Sequence, residues 1–417
     1  MTAKASGYVH ETYVAPSDHT FTLPDNITYV RSTEAEGLVQ IYLRDLSAPF
    51  ISLERHSRCL RTSPHGLVND DRAVSSPAFL LKVVATGSEV SLSDVWATIY
   101  AFWIRRSEQD VVPLILDSDS FMNADEILAY LTSTGLAFYP PDAKTRFELL
   151  LVRASFWQGA GAPTDSHWLQ SIIPHPSVSG TPFPLVQSFT RGEHVLTTHP
   201  LRPPKPAPGS VIYSRFIFTV KEHLRFIHID ANNPAHFEAY ARWQNSDRVN
   251  VGWKERGPDA KHRKYLADHL ADPHTLGFVI EWNGELAGYG ELCWVKEDPM
   301  STYVGGLGNY DQSQSQSLSC TVISPNPALG THLLIGEEKF RGRHRFTAIV
   351  TSLRHACFLR DPRTETVVAE PRADLPIVQQ LIAYLPEELN REFELPHKRA
   401  AYVVMRRERF FQAAMLN

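Results

Sequence analysis

Between Pro200 and Gly209 the chain reads PLRPPKPAPG, with five prolines in ten positions. Proline locks φ near about −65° and offers no backbone N–H, so this stretch cannot lie inside a helix or a central strand and is expected to run extended. It divides the 417 residues into two lengths that each suit a domain. The expected organisation is a domain over 1–199, a linker over 200–211 and a second domain over 212–417. Within the first, SLSDVWATIYAFWIRRS (91–107) repeats Val95, Trp96, Ile99, Tyr100 and Trp103 at helical spacing, with Ser93 as the candidate cap. That aromatic stripe is assigned to core packing.

After the linker, LGFVIEWN (276–283) predicts a strand running into Asn283-Gly284, a dipeptide suited to the positive backbone angles of a tight hairpin, and ELAGYGELCW (285–294) predicts its partner. THLLIG (331–336) predicts a third strand. RGRHR (341–345) follows, then a helix over 345–359, the strand TVVAEP, a helix over 375–385 and a final strand AYVVMRRERFF. This order is an α+β layout with one mixed sheet.

Composition removes several function classes. Lys plus Arg number 41 against 46 Asp plus Glu, so no overall basic excess exists to bind nucleic acid or an anionic membrane. No apolar stretch reaches the roughly 18 to 20 residues that cross a bilayer. Cys59, Cys293, Cys320 and Cys357 form no C-x-x-C pair, so no metal is assigned and a reducing, cytoplasmic setting is expected. The N-terminus lacks the apolar core of a secretory signal, and the C-terminal Ala-Met-Leu-Asn is not an address of the S-K-L type. A P-loop, an H-E-x-x-H pair and a G-x-S-x-G elbow are missing. Gly306-x-Gly308 meets Asp311 where a dinucleotide fingerprint needs its third glycine.

Longer motifs carry a resemblance. HIDANNPAHFEAYARWQNSDRV (228–249), GYGELCWVKED (288–298), GTHLLIGEEKFRG (330–342), FLRDPRTETVVAEPRAD (358–374) and FELPHKRAA (393–401) are similar in order to motifs of the siderophore-biosynthesis N-acyltransferases of the GNAT fold. RASFWQGAGAP (153–163) and the proline-rich segment resemble the fungal hydroxyornithine transacylases of that family. The resemblance implies an α+β fold with a C-terminal catalytic GNAT domain and an N-terminal domain of related, degenerate GNAT-like fold. It also implies acyl-CoA as co-substrate, no tightly bound cofactor, and conversion of Nδ-hydroxyornithine to a hydroxamate. The expected partners are these small molecules, without nucleic acid or membrane, and a homodimer is compatible with the family.

Arg341-Gly342-Arg343-His344-Arg345 stands at a strand-to-helix turn, where outward N–H groups and basic side chains suit a pyrophosphate, although a solvated basic turn has the same composition. The resemblance favours coenzyme A there. Arg372 could meet a phosphate or a substrate carboxylate, since a guanidinium grips either with its fork. By alternation His332 shares a face with Leu334 and Gly336, opposite Thr331, Leu333 and Ile335. The family's Asp-x-Gly-x-His run beside the thioester makes His332 and Asp311 candidates for acid/base or orienting roles. Glu291 is a candidate for proton transfer or for the acceptor's ammonium, and Trp294 for the acceptor wall, although alternation sets them on opposite faces. His397 and Lys398 are expected to add positive potential nearby, and Trp243 and Arg248 to be structural. Cys293 has no base partner in its local sequence, so no acyl-enzyme is expected.

One departure stands out. Pro327-Ala328-Leu329 precede Gly330-Thr331-His332, with no carboxylate where the family places one. Removal of the 17 residues 313–329 would yield GNYDQGTHLLIG and restore the run with Asp311. A retained intron in the conceptual translation is the favoured explanation, and a surface loop that returns Asp311 to the site is the other. If translated, the segment leaves open a catalytically silent binding protein, or a GNAT enzyme for another amine such as lysine or a protein amino group.

Overall fold

Strands dominate the first half: β1 (Asp18–Thr22), β2 (Tyr29–Ala35), β3 (Leu38–Leu43), β4 (Ile51–Arg61), β5 (Pro77–Ala85), β6 (Val111–Leu116), β7 (Ala137–Phe138) and β8 (Glu148–Val152). In β3, Val39, Ile41 and Leu43 are buried and the residues between them stay partly open, the period of a half-covered sheet. The structure, a computed structural model, describes residues 13–44, 47–61, 77–86, 90–140, 142–170, 185–189, 196–200, 202–299, 303, 328–383, 385, 387–413 and 415–416. The strands lie in the order β1-β2-β3-β4-β5-β6-β8-β7, antiparallel except for β5 beside β6. Helix α1 (Leu92–Arg105) makes the parallel crossover and α2 (Ala124–Ser133) follows β6. The aromatic stripe of α1 is buried as expected, but the cap is Ser91 rather than Ser93; its side chain accepts from the N–H of Asp94.

The second half repeats this plan. A short helix, α3 (Arg153–Trp157), and a separate hairpin of β9 (Leu185–Phe189) and β10 (Leu196–Pro200) lead to β11 (Val211–Ile217) and β12 (Glu222–His228). Then come α4 (Pro234–Asn245), α5 (Asp247–Trp253) and α6 (Asp259–Ala271), followed by β13 (Thr275–Trp282), β14 (Glu285–Trp294) and β15 (Ala328–Ile335). Helix α7 (Arg343–Arg360), β16 (Thr366–Ala369), α8 (Pro376–Ala383), β17 (Glu388–Leu395), β18 (Lys398–Arg406) and α9 (Arg407–Gln412) complete it. The order β11-β12-β13-β14-β15-β16-β18-β17 matches the first sheet, and its one parallel pair, β15 with β16, matches too. The repeat lies in strand pairing, which no residue-level repeat announces. The halves differ between their second and third strands, where Glu36-Gly37 makes a tight turn in one and α4–α6 stand in the other. Those helices cover one face of the second sheet, with Tyr240, Trp243 and Leu266 against Val279, Tyr289 and Leu334.

Asn283 and Gly284 take φ of 47° and 90° and close the β13–β14 hairpin as predicted. The last strand stops at Arg406, earlier than predicted. Phe410 and Phe411 are both buried, which a helical turn allows and strand alternation does not. β17 was not foreseen, because ELNREFEL is an exposed, largely polar edge strand without an apolar face. Ala328 and Leu329 belong to β15, paired with Thr366 and Val367, so the segment set apart in the sequence overlaps the sheet by two residues. Asp311 and residues 313–327 lie outside the described residues.

The two sheets share one apolar core. Trp96, Tyr100 and Trp168 from the first half join Tyr213, Phe226, Leu353 and Met405 from the second. Polar bonds cross as well: Arg153 donates to the carbonyl of Gln412 at 2.9 Å, and His355 Nε2 lies 2.6 Å from the carbonyl of Trp157. The proline-rich stretch runs without a regular element from residue 202, but it is no free tether. Lys205 donates to the carbonyls of His269, Leu270 and Asp272 at the end of α6. Arg202 forks Glu297 at 2.7 and 3.0 Å and lies over Trp294, and His199 reaches the same carboxylate. Both members of the Arg202–Glu297 pair are buried. Arg202→Ala is therefore expected to cost about 3 to 5 kcal/mol of stability in urea unfolding, because it strands a buried carboxylate. None of the described helices is long and apolar enough to cross a membrane.

Candidate active site

β15 and β16 pair only from Ala328–Gly330 to Thr366–Val368. β16 ends at Ala369 while β15 continues to Ile335, so the strands part and the β15 edge beyond Gly330 has no ladder partner on that side. Backbone groups in such a fork seek hydrogen bonds elsewhere, from solvent or from a ligand with amides of its own. Thr331 pins the fork, donating to the carbonyl of Val368 at 3.2 Å and accepting from Arg354.

The cross-strand register places Glu291 of β14 directly opposite His332 of β15. His332 Nδ1 lies 3.0 Å from Glu291 Oε2, and Nε2 lies 2.8 Å from Glu370 Oε1 just past the end of β16. A carboxylate at each ring nitrogen calls for a doubly protonated imidazolium. Burial opposes charge on His332, but the Glu370 and Glu291 carboxylates outweigh it and raise its pKa to about 10. Burial also opposes charge on both acids. His332 outweighs it in each case, helped by His269 and Tyr265 at Glu291 and by Lys398 at Glu370, and each falls to about 2.

Exposure separates the roles of the two acids. The Glu291 side chain is 3% exposed, and its Oε1 accepts from the hydroxyls of Tyr265 at 2.6 Å and Tyr289 at 3.0 Å, with His269 Nε2 at 3.3 Å. With His332 on its other oxygen, the carboxylate is occupied on both sides. Glu370 is 11% exposed and His332 32%, so these two form the accessible end of the relay. Trp253, at the end of α5, stands nearly perpendicular to His332 with ring centres 6.3 Å apart.

The turn after β15 is set by packing. A Cβ on Gly336 would lie 2.2 Å from the Trp243 ring, so only glycine lets the chain pass. Trp243 then donates to Glu337 at 2.8 Å, and Arg248 donates to Glu338 at 2.6 Å and to the Gly336 carbonyl at 2.8 Å. Helix α7 follows Gly342 with no side-chain cap, the kind of helix start that suits an anion. In the first half the corresponding helix is closed: Ser91 caps α1, and Asp94 in its first turn pairs with Arg44 at 2.6 Å. A negative charge at that end repels a phosphate.

Of the residues singled out in the sequence, Glu291, His332 and Lys398 come together, with Lys398 Nζ 3.3 Å from Glu370. Three expectations need correction. Trp294 lies in the core on the opposite sheet face, under Arg202, and cannot wall the acceptor site. Glu291 is saturated, so it does not bind an acceptor ammonium. Arg345 pairs with Glu222 and lies over Trp282 and Phe340, which turns its guanidinium away from the helix end. Arg341 is held by Glu338 at 2.7 Å, whereas Arg343 and His344 open the first turn of α7. Arg372 forks Asp374 at 3.0 and 2.6 Å and donates to the carbonyl of His397 at 3.3 Å. Sequence reasoning missed Glu370, Tyr265 and His269. Tyr265 and His269 stand four apart on one face of α6, a signal that was available, whereas the role of Glu370 follows only from the β15–β16 pairing.

Comparison with known proteins agrees with this geometry. A family model described as an acetyltransferase (GNAT) domain matches residues 232–395. The acyltransferase ato1 of Omphalotus olearius is 65% identical over 418 residues, 100% of both chains. The acyltransferase fer5 of Mycosarcoma maydis is 50% identical over 89% of this chain and 80% of its own. The hydroxyornithine transacylase SID3 of Ajellomyces capsulatus is 35% identical over 78% of this chain and 73% of its own. With that likeness over most of its length, and the fork and relay on the matched half, the chain belongs to the siderophore-biosynthesis N-acyltransferases of the GNAT fold and is an enzyme of that class.

Proposed function

We propose that the enzyme transfers an acyl group from acyl-coenzyme A to the hydroxylated side-chain nitrogen of Nδ-hydroxyornithine, forming a hydroxamate. The Glu291–His332–Glu370 relay carries this reading. An alkyl amine of the lysine type, with a pKa of about 10.4, must lose a proton before it can attack, and an imidazolium between two carboxylates is no base for it. A hydroxylamine nitrogen is largely neutral near pH 7 and attacks without that step. Its proton becomes acidic only once the new C–N bond has placed positive charge on nitrogen, so a weak base suffices.

Glu370 is that base. It is accessible, and it sits at the mouth of the fork where the thioester carbonyl would lie. Nitrogen attacks the carbonyl carbon, the proton passes to Glu370, and the C–S bond breaks to release the thiolate of coenzyme A. His332 holds Glu370 in place, and Glu291 holds His332. The open start of α7, with Arg343 and His344, suits the pyrophosphate, and the unpaired edge of β15 suits the amides of the pantetheine arm. The name of the transacylase relative, at 35% identity, points to the same acceptor.

The test is thiol release from acetyl-CoA with Nδ-hydroxyornithine and with ornithine. Hydroxyornithine is expected to be turned over and ornithine not. Glu370→Gln is expected to lower kcat by about 100-fold while leaving the KM for acetyl-CoA in place. Equal turnover of the two acceptors would contradict the proposal.

A further inference from the structure

Three segments meet around the accessible end of the relay: Trp253 and Lys254 at the end of α5, the stretch from Glu370 to Asp374 after β16, and the turn at His397 and Lys398 between β17 and β18. They place charges of both signs outside a His332–Glu370 centre that has no use for them in bond making. Arg372 uses three of its five N–H groups, two on Asp374 and one on the His397 carbonyl, and its side chain keeps 14% of its surface exposed. Asp374 is 47% exposed. The Lys254 ammonium adds to the field of Arg372 on Asp374, which brings the end of α5 and the loop after β16 to one rim. Lys254 is exposed and held in a left-handed conformation (φ 57°) at the C-cap of α5. Between this rim and the relay stands the ring of Trp253, a flat apolar wall beside His332.

We propose that this rim reads the amino-acid head of the acceptor: Arg372 and Lys254 take its α-carboxylate, Asp374 takes its α-ammonium, and the methylene arm runs along Trp253 to place the hydroxylated nitrogen at Glu370. The inference rests on the hydroxamate reading above and assigns the residues that would select its α-amino-acid head over a diamine or a protein side chain. Arg372 thereby moves from coenzyme to acceptor. A zwitterionic head needs two adjacent sites of opposite sign, and a forked Arg–Asp pair with unused donors supplies both. A coenzyme phosphate next to Asp374 would instead face a carboxylate.

The experiment compares Nδ-hydroxyornithine with its carboxamide, which keeps the hydroxylamine, the arm and the ammonium but loses the negative charge. Acetyl-CoA consumption is followed for the wild type, Arg372→Gln and Lys254→Gln; the exposed Lys254 makes the second variant safe for folding. The wild type is expected to favour the acid over the amide by about tenfold in kcat/KM, the range of one charged hydrogen bond. Arg372→Gln is expected to raise the KM for the acid by a similar factor, and Lys254→Gln by about threefold. In both, the KM for acetyl-CoA stays as in the wild type, and in Lys254→Gln so does the kcat/KM for the amide. Equal use of acid and amide by the wild type overturns this inference and leaves the hydroxamate reading standing. A rise in the KM for acetyl-CoA in Arg372→Gln returns that residue to the coenzyme and overturns it too. Absence of thiol release with either acceptor overturns both readings.

Discussion

Replacing His332 with alanine is expected to lower kcat by about 10³-fold while the KM for acyl-CoA changes little. The imidazole touches both acids of the relay, at 3.0 and 2.8 Å, and among the described residues no other side chain spans from Glu291 to Glu370. Without it Glu370 keeps Lys398 at 3.3 Å and a backbone hydrogen bond, and the carboxylate proposed to receive the proton loses the partner that aims it at the fork. Positioned proton transfer is worth about 10² to 10⁴ in rate, and losing the aim as well as the charge places the expected effect in the middle of that range. The coenzyme contacts proposed above lie elsewhere, at the start of α7 and along the backbone edge of β15, hence the unchanged KM. Steady-state thiol release, with circular dichroism to verify folding, measures it. A kcat within fivefold of the wild type would remove His332 from the mechanism.

Glu291→Ala is expected to cost about 3 to 5 kcal/mol of stability near pH 5.5, because it removes the carboxylate that the buried Tyr289 hydroxyl and the half-buried Tyr265 donate to and leaves His332 with one counter-charge in place of two. Linkage gives the pH window. His332 is raised from 6.5 to about 10, so its contribution is complete below about pH 6.5 and is lost as the pH climbs towards 10. Glu291 and Glu370 are lowered from 4.5 to about 2, so theirs is complete above about pH 4.5 and is lost as the pH falls towards 2. The gap between wild type and variant should therefore be widest between about pH 4.5 and 6.5 and narrow on either side. Urea unfolding at three pH values reads this directly. The same substitution lowers the pKa of His332 towards the unperturbed value of about 6.5, so kcat should acquire an inflection near neutrality that the wild type lacks. A gap that does not change with pH would show that Glu291 acts by packing alone.

Parts of this site were legible before any coordinates. Alternation alone set His332 apart from Thr331 and Leu333, and the same rule put Trp294 on the face away from Glu291, which is where it lies. The Asn283-Gly284 turn, the crossover helix and the mixed sheet followed from local chemistry. Glu370 was harder. It stood within a quoted motif, but nothing local distinguishes the acid after TVVAE from any solvated residue at a strand end. Its partner is 38 residues away in sequence, and their meeting depends on where the parallel pairing of β15 and β16 begins. The expected carboxylate, Asp311, lies outside the described residues, and the relay stands without it.

The first half shows the opposite balance. Most of its strands pair with the next in sequence, but the parallel β5–β6 pair and the seat of β8 between β6 and β7 could not be read from residue patterns.

By itself the sequence determined the α+β class, the extended proline-rich crossing, the basic turn before the long helix and the face of β15 that carries His332. Each depends on neighbours within a few residues, through φ restriction, helical period or strand alternation. Only the tertiary structure set the two acids of the relay apart, and with them the roles proposed for each. Glu291 and Glu370 are the same chemical group. Glu291 lies beneath two tyrosines at 3% exposure and Glu370 at the fork between strands at 11%, a difference that belongs to the assembled sheet.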